Sequence, residues 1–300
     1  MAENEIFTYD ICFIVLHFID ADMTSRCVDT LLNTFANESI YIVVVDNGSN
    51  NNSGELLTNR YSRSNNVKIL ISKNNLGFSK GNNLGYDWAK ENIVFEFLSV
   101  INNDVLVTHN NFLETTRECY RNTGFAVMGP DIISQASKLH QNPLFEKGFS
   151  LSEMESFYRY MTFRRNFFAL YYFKKSFERF ISRFNDSFSE KQKCDYKNPL
   201  VNPVLFGACY IFSEKFFKHK EYLFNPNTFM YFEENILHYE CMKEGLKMVY
   251  CPSITVDHYE DVSTKAYIKS NYQRLKWAQI ENVKSEKYLL DVMRSDTERK

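Results

Sequence analysis

The sequence predicts an α/β protein: a Rossmann-like, mostly parallel sheet with flanking helices, a helical insertion and a helical C-terminal tail. Three observations predict it. Short β-branched apolar runs alternate with stretches of helical periodicity, the pattern of βαβ units joined by right-handed crossovers. One run, SIYIVVVD, is almost continuously apolar, as a strand covered on both faces must be. Clusters of Asn, Gly and Asp follow the apolar runs, where turns belong.

CFIVLHF (12–18) reads as the first strand. TSRCVDTLLNTFA (24–36) reads as a helix, with Thr24 placed to cap it and Cys27, Leu31 and Leu32 on one face. SIYIVVVD (39–46) is the second strand and DNGSNNNSG (46–54) the turn after it. VKILIS (67–72) is the third strand, and KNNLGFSKGNNLG (73–85) turns from it into a helix. FEFLSVI (95–101) is the fourth, and FAVMGPDI (125–132) is a further strand. The alternation breaks over 150–200. VLFGACYIFS (204–213) resumes a strand, FEENILHYECMKEGLK (232–247) is a helix closed by Gly245, and MVYCPSITVDH (248–258) holds the last strand. Residues 263–293 are helical and polar.

Composition bounds the function. The chain has 300 residues, 44% hydrophobic and 24% charged, with a net charge of −2, so no global field draws it to nucleic acid. Cys12, Cys27, Cys119, Cys194, Cys209, Cys241 and Cys251 are scattered, odd in number and without a CxxC pair. Reduced thiols in a cytoplasm are expected, not a disulfide framework or a zinc site. Apolar runs such as Ile11–Leu16 are too short to span a bilayer, and the acidic MAENEIFTYD lacks a signal-peptide pattern.

In an open parallel sheet, ligands bind at the carboxyl ends of the strands. Asp46-Asn47-Gly48-Ser49, Asn75-Leu76-Gly77 and Asn102-Asn103-Asp104 follow the second, third and fourth strands. Each alone is an ordinary β-to-α turn; together they mark one rim. The glycines at 77, 81 and 85 match neither GxGxxG nor GxxxxGK[ST], which excludes a dinucleotide fingerprint and a P-loop. The helix N-terminus near Phe78, with Lys80 beside it, offers free amides to an anion. Asp104 serves either as an anchor for Mg2+ or Mn2+ whose other oxygens come from phosphates, or as a helix cap.

The stretches IVVVDNGSNNNSGELL, NNLGFSKGNNLG, INNDV, FGACYIFS, FMYFEENIL and DHYEDVST occur in the order and spacing of family 2 glycosyltransferases, over about residues 10–265. The chain resembles these inverting enzymes of GT-A fold, and is similar to bacterial members that build rhamnose-containing and other cell-surface polysaccharides. The resemblance implies one domain over 1–300: a nucleotide-sugar-binding half (8–132), the insertion (150–200), an acceptor-side, catalytic half (201–262) and the tail (263–300). It implies a nucleoside-diphosphate sugar donor, a saccharide acceptor that is lipid-linked in such pathways, and a divalent metal, Mg2+ or Mn2+. Asp46 then contacts the nucleoside, and Asn75 and Gly77 line its pocket. Lys80 faces the diphosphate or is simply a solvated helix lysine. Asn102, Asn103 and Asp104 form the D-x-D-type motif with Asn in its first place, and Asp104 and His258 serve the metal. Gly207 and Ala208 lie beside the acceptor, where a missing side chain lets a sugar approach the backbone. Glu234 is the base, with Glu233 the alternative. A nucleotidyltransferase would need a Gly-rich basic loop near the first strand, which CFIVLHFIDADMTSR lacks. A non-catalytic binding module on the same fold stays open.

FYRYMTFRRNFFALYYFKKSFERFISRF (157–184) carries twelve aromatics, seven Lys or Arg and one Glu. At 100° per residue, Phe163, Phe167, Leu170, Phe177, Ile181 and Phe184 share a face opposite Arg165, Lys175, Arg179 and Arg183. Two readings follow: an interfacial helix on the inner face of the plasma membrane, or a helix packing its aromatic face on the domain or a second subunit.

Overall fold

The computed structural model describes residues 8–108, 111–174, 194–259 and 270–299. β1 (Thr8–His17), β2 (Ile40–Asp46), β3 (Val67–Ile71) and β4 (Val94–Asn102) alternate with α1 (Ala21–Thr34), α2 (Ser53–Arg60) and α3 (Gly77–Asn92). The strands lie side by side in the order β3-β2-β1-β4, all parallel. β5 (Val105–Leu106), α4 (Phe112–Thr123), β6 (Val127–Ser134), α5 (Leu151–Asn166), β7 (Leu200–Val201), β8 (Cys209–Phe212), α6 (Glu233–Lys243), β9 (Met248–His258) and α7 (Asn271–Glu298) follow. β8 inserts antiparallel between β4 and β6, and β9 lies parallel to β6. The result is a mixed α/β protein on a central, mostly parallel sheet with flanking helices and a C-terminal helix.

Period-2 burial explains the layers. Phe13, Ile42 and Val44 face one side of the sheet, where Phe13 meets Phe35 at 5.1 Å and Phe35 meets Phe112 at 5.6 Å between ring centroids. Ile14, Val43 and Val45 face the other, under α3. There the sequence supplies Gly81 and Gly85 because nothing larger fits: a Cβ at 81 would lie 2.6 Å from Leu16 Cδ1, and one at 85 would lie 2.8 Å from Ile14 Cγ2. A third cluster joins α5, α6 and α7 through Met154, Phe232, Ile236, Leu289 and Leu290.

Several expected elements differ. α1 starts at Ala21, because Asp20 caps it by accepting from the Met23 amide; Thr24 is buried inside the helix. The strand expected over 204–213 is regular only at Cys209–Phe212, with Val204 forming an isolated antiparallel bridge to Phe145 ahead of it. Side chains claim its first half instead: the Phe206 amide donates to Asn142 Oδ1, and the Tyr210 hydroxyl donates to the Leu205 carbonyl. The tail helix begins at Asn271.

The insertion is helical over α5 and again over 168–174. The remainder of the expected interfacial helix, 175–184, lies outside the described residues, as do the EDVST residues of the DHYEDVST motif. Within them the aromatics do not keep to one face. Met154, Met161 and Phe168 are buried, with Phe168 against Tyr272 of α7, whereas Phe163, Phe167 and Leu170 are exposed. Among the described residues no helix is long and apolar enough to cross a membrane.

Candidate active site

Register brings the strand ends together. His17 pairs with Asp46, Leu16 with Asn102, and Asp46 with Ile71, so the loops after β2, β3 and β4 leave one rim. Asp46 is buried, and its Oδ1 accepts from the Ser49 amide at 3.0 Å. Beneath the rim runs a hydrogen-bonded chain. Asn103 Nδ2 donates to Thr24 Oγ1 at 2.9 Å, Thr24 Oγ1 meets His17 Nδ1 at 2.7 Å, and His17 Nε2 meets Ser53 Oγ at 2.8 Å. Burial lowers the His17 pKa against the opposing pull of Asp46 and Asp20, so the ring links the loops as a neutral group.

Asn47 joins the β2 and β3 loops. Its Nδ2 donates to the Gly77 carbonyl at 3.0 Å and to Asn75 Oδ1 at 3.2 Å, and its Oδ1 accepts from the Leu76 amide at 2.8 Å. Gly77 has φ +78, and a Cβ there would collide with the Phe229 carbonyl. Only glycine takes this backbone and this approach without strain.

The anion cradle expected at the start of α3 is corrected here. The Gly77 amide donates to Asn75 Oδ1 at 2.9 Å, and the Phe78 amide donates to the Phe229 carbonyl at 2.8 Å. With Leu76 bound to Asn47, the first amides are already taken. One partner lies in the loop itself and two, Asn47 and Phe229, lie far along the chain, so these donors are satisfied within the protein. Lys80 is exposed on α3.

Asp104 and His258 meet through antiparallel pairing of β5 with β9. Both are buried, with Asp104 Oδ1 3.3 Å from His258 Nε2. The opposite ring nitrogen, Nδ1, lies 2.7 Å from Gln141 Oε1, an acceptor that places a proton on Nδ1. Nε2 then turns towards the carboxylate, the orientation that outer hydrogen bonds give to metal-binding histidines. Among the described residues no group of three or more His, Cys, Asp or Glu gathers to hold a metal. The donor set is therefore this pair, which fits a divalent cation only if water or substrate oxygens complete it.

Phe206-Gly207-Ala208 links His258, the end of β4 and Glu234. The Phe206 ring lies 5.9 Å from the His258 ring. The Ala208 carbonyl accepts from the Asn102 amide at 2.9 Å. The Gly207 backbone lies against the Glu234 carboxylate: a Cβ at 207 would stand 2.8 Å from Glu234 Oε1.

Glu233 and Glu234 open α6 after Tyr231 and Phe232, which have φ of 70° and 71°. Two consecutive bulky residues in the left-handed region are costly, and such strain is typical of functional sites. Glu233 is buried, and its Oε1 has no hydrogen-bond partner among the described residues. Burial, then the neighbouring Glu234, raises its pKa well above the carboxylate range. Burial also raises the Glu234 pKa, while its own amide and that of Gly207 oppose the shift. Glu234 keeps partial access to solvent. Within the pair the charged form is disfavoured most at 233, and Glu234 is the carboxylate that reaches solvent.

Sequence reading missed Asn47, His17, Thr24, Phe229 and the strained Tyr231-Phe232. Asn47 sat within a recognised turn, but its role is a long-range bond. A left-handed backbone at Tyr and Phe leaves no compositional signal.

Residues 12–180, more than half of the chain, match the family described as Glycosyl transferase family 2. Glycosyltransferase GlyG of Streptococcus pneumoniae serotype 4 (strain ATCC BAA-334 / TIGR4) is 33% identical over 86 residues, 28% of this chain and 27% of that protein. The match therefore spans about a quarter of that relative's length. The fold is similar to GalNAc-T7 crystallised with UDP, GalNAc and Mn2+, with TM-score 0.55 and 14% identity over 86% of this chain and 44% of that one. It is also similar to S. aureus TarS 1-349, with TM-score 0.51 and 11% identity over 90% of this chain and 65% of that one. At such identities the likeness shows the fold alone.

Proposed function

The chain belongs to glycosyl transferase family 2, and from that premise we propose that it transfers a sugar from a nucleoside-diphosphate sugar to a saccharide acceptor, inverting the anomeric centre. One observation carries the catalytic assignment: the Glu234 carboxylate sits at the start of α6 against the bare Gly207 backbone, with its pKa raised by burial. A base needs a raised pKa and one fixed direction of attack.

In this reading Glu234 takes the proton of the acceptor hydroxyl as that oxygen attacks the anomeric carbon. The nucleoside diphosphate departs from the opposite face. One carboxylate suffices, because the leaving group needs no strong acid, unlike the paired carboxylates of glycoside hydrolases. Glu233 stays protonated, so a second negative charge does not oppose the departing diphosphate. The bare backbone at Gly207 leaves room for the Glu234 carboxylate beside the acceptor.

Asp46, Asn75 and Gly77 hold the nucleoside, with Asn102 and Asn103 completing the rim. Lys80 lies exposed and serves the diphosphate only if the donor extends along α3. Asp104 and His258 would hold Mg2+ or Mn2+, which when bound offsets charge on the diphosphate. The Mn2+ in the GalNAc-T7 structure supports this reading. The branch of the family suggests cell-surface polysaccharide synthesis on a lipid-linked acceptor, with rhamnose among the candidate sugars. A catalytically inert sugar-nucleotide module on this fold is the competing possibility.

The test is a thermal-shift and turnover screen across UDP-, GDP- and dTDP-sugars, with and without Mn2+. One donor class is expected to stabilise the protein and to release its nucleoside diphosphate when acceptor is added. Stabilisation by every free nucleotide alike, with no release from any sugar, would contradict the proposal.

A further inference from the structure

Helix α5 and its extension leave five large apolar side chains in solvent. Tyr160 is 55% exposed, Phe163 61%, Phe167 53%, Leu170 71% and Phe173 69%. Scattered exposed hydrophobes are ordinary, but a contiguous row of them on one short stretch marks an interaction surface. The row is not a core face turned outward, because the core face of the same helix is already in use. Met154, Met161 and Phe168 are buried, and Gln279 of α7 donates to the Met161 carbonyl at 3.3 Å.

Charge identifies the occupant. Residues 157–174 contain no Asp or Glu; Arg164 turns inward over Tyr171 and towards Glu286, which leaves Arg159, Arg165 and Lys174 as the positive charges of this stretch, in a chain whose net charge is −2. A second copy meeting this face across a two-fold axis would oppose it to itself, bringing like charges together. An anionic lipid surface instead offers hydrocarbon to the aromatic rings and phosphate to the guanidinium groups.

The helix that carries this face is linked to the site through α7. Phe168 and Tyr172 contact Tyr272 of α7 with ring centroids 5.3 and 4.9 Å apart, and further along α7 Trp277 lies 5.8 Å from the strained Tyr231. We propose that the exposed face of residues 157–174 docks the protein on an anionic membrane surface. This membrane contact does not depend on the transferase reading.

The full chain is sedimented with vesicles of phosphatidylcholine alone and of phosphatidylcholine with phosphatidylglycerol, at low and high salt. Binding is expected on the anionic vesicles, weakening as salt rises. The triple variant Phe163→Ser, Leu170→Ser, Phe173→Ser is expected to lower partitioning by more than about tenfold. Arg159→Glu is expected to lower it by about fivefold or more. Turnover with a soluble acceptor should be unchanged in both variants, which separates the two proposals. Circular dichroism and thermal melting check folding, and the salt dependence and Arg159→Glu keep the test decisive if the triple variant is unstable. Absence of wild-type binding to anionic vesicles at low salt would overturn the proposal. So would equal binding to neutral vesicles, or a wild-type dimer that the triple variant turns into a monomer.

Discussion

The Glu234 carboxylate lies against the Gly207 backbone, so that a Cβ at position 207 would stand 2.8 Å from Glu234 Oε1. The nearest obstacle is thus the flexible end of a side chain rather than backbone. Gly207→Ala should therefore leave the melting temperature within a few degrees of wild type. It should displace the carboxylate, and a shift on the order of 1 Å lowers turnover by about 100-fold. Melting curves and kcat measured side by side check this: loss of turnover without loss of stability is expected, with the donor KM unchanged.

Asn47 is buried and holds the Leu76 amide and the Gly77 carbonyl. Asn47→Ala leaves both buried groups without their partner, at a cost of about 2–3 kcal/mol. Urea unfolding should show that loss. Calorimetry should show weaker donor binding, since the nucleoside pocket is built from the two loops that Asn47 joins. A destabilised variant with unchanged donor affinity would separate Asn47 from the pocket.

Asp104→Ala removes one member of the pair formed with His258. In Mn2+, donor affinity should fall by about tenfold or more. Wild-type affinity should fall with a chelator, and that of the variant should not. Identical calorimetric titrations of the wild type with and without chelator would contradict a metal at this pair.

Glu286 on α7 is fully buried, with both carboxylate oxygens lacking partners among the described residues. Burial pushes its pKa up to about 7, from an ordinary 4.5, and Arg164 only partly opposes the shift. The folded value lies above the unfolded one, so the folded state holds the proton more tightly. The stabilisation is full below about pH 4.5 and is lost as pH rises through about 7. Glu286→Gln should flatten this dependence, a difference of about 2–3 kcal/mol between pH 5 and pH 8. Chemical denaturation at the two pH values measures it; parallel wild-type and variant profiles would remove Glu286 as the cause.

The rim was legible because parallel strands bring their carboxyl ends together, so three Asn- and Gly-rich turns in sequence become one edge in space. Three features were not. The amides at the start of α3 looked free because their partners, Asn47 and the Phe229 carbonyl, lie far along the chain. The 204–208 segment looks like strand by propensity, but Asn142 draws it into a loop. The aromatic insertion suggested a single apolar face, whereas packing on α7 takes one face and leaves another exposed. In each case a contact remote in sequence overrides the local pattern.

The central claim is that Glu234 is the base. Glu234→Gln preserves shape and the Gly207 contact but cannot take a proton. Measuring donor affinity by calorimetry and turnover with saturating donor and acceptor tests it most directly. Unchanged donor affinity with kcat lowered by about 100- to 10,000-fold is the predicted result. Full turnover in that variant would contradict the account.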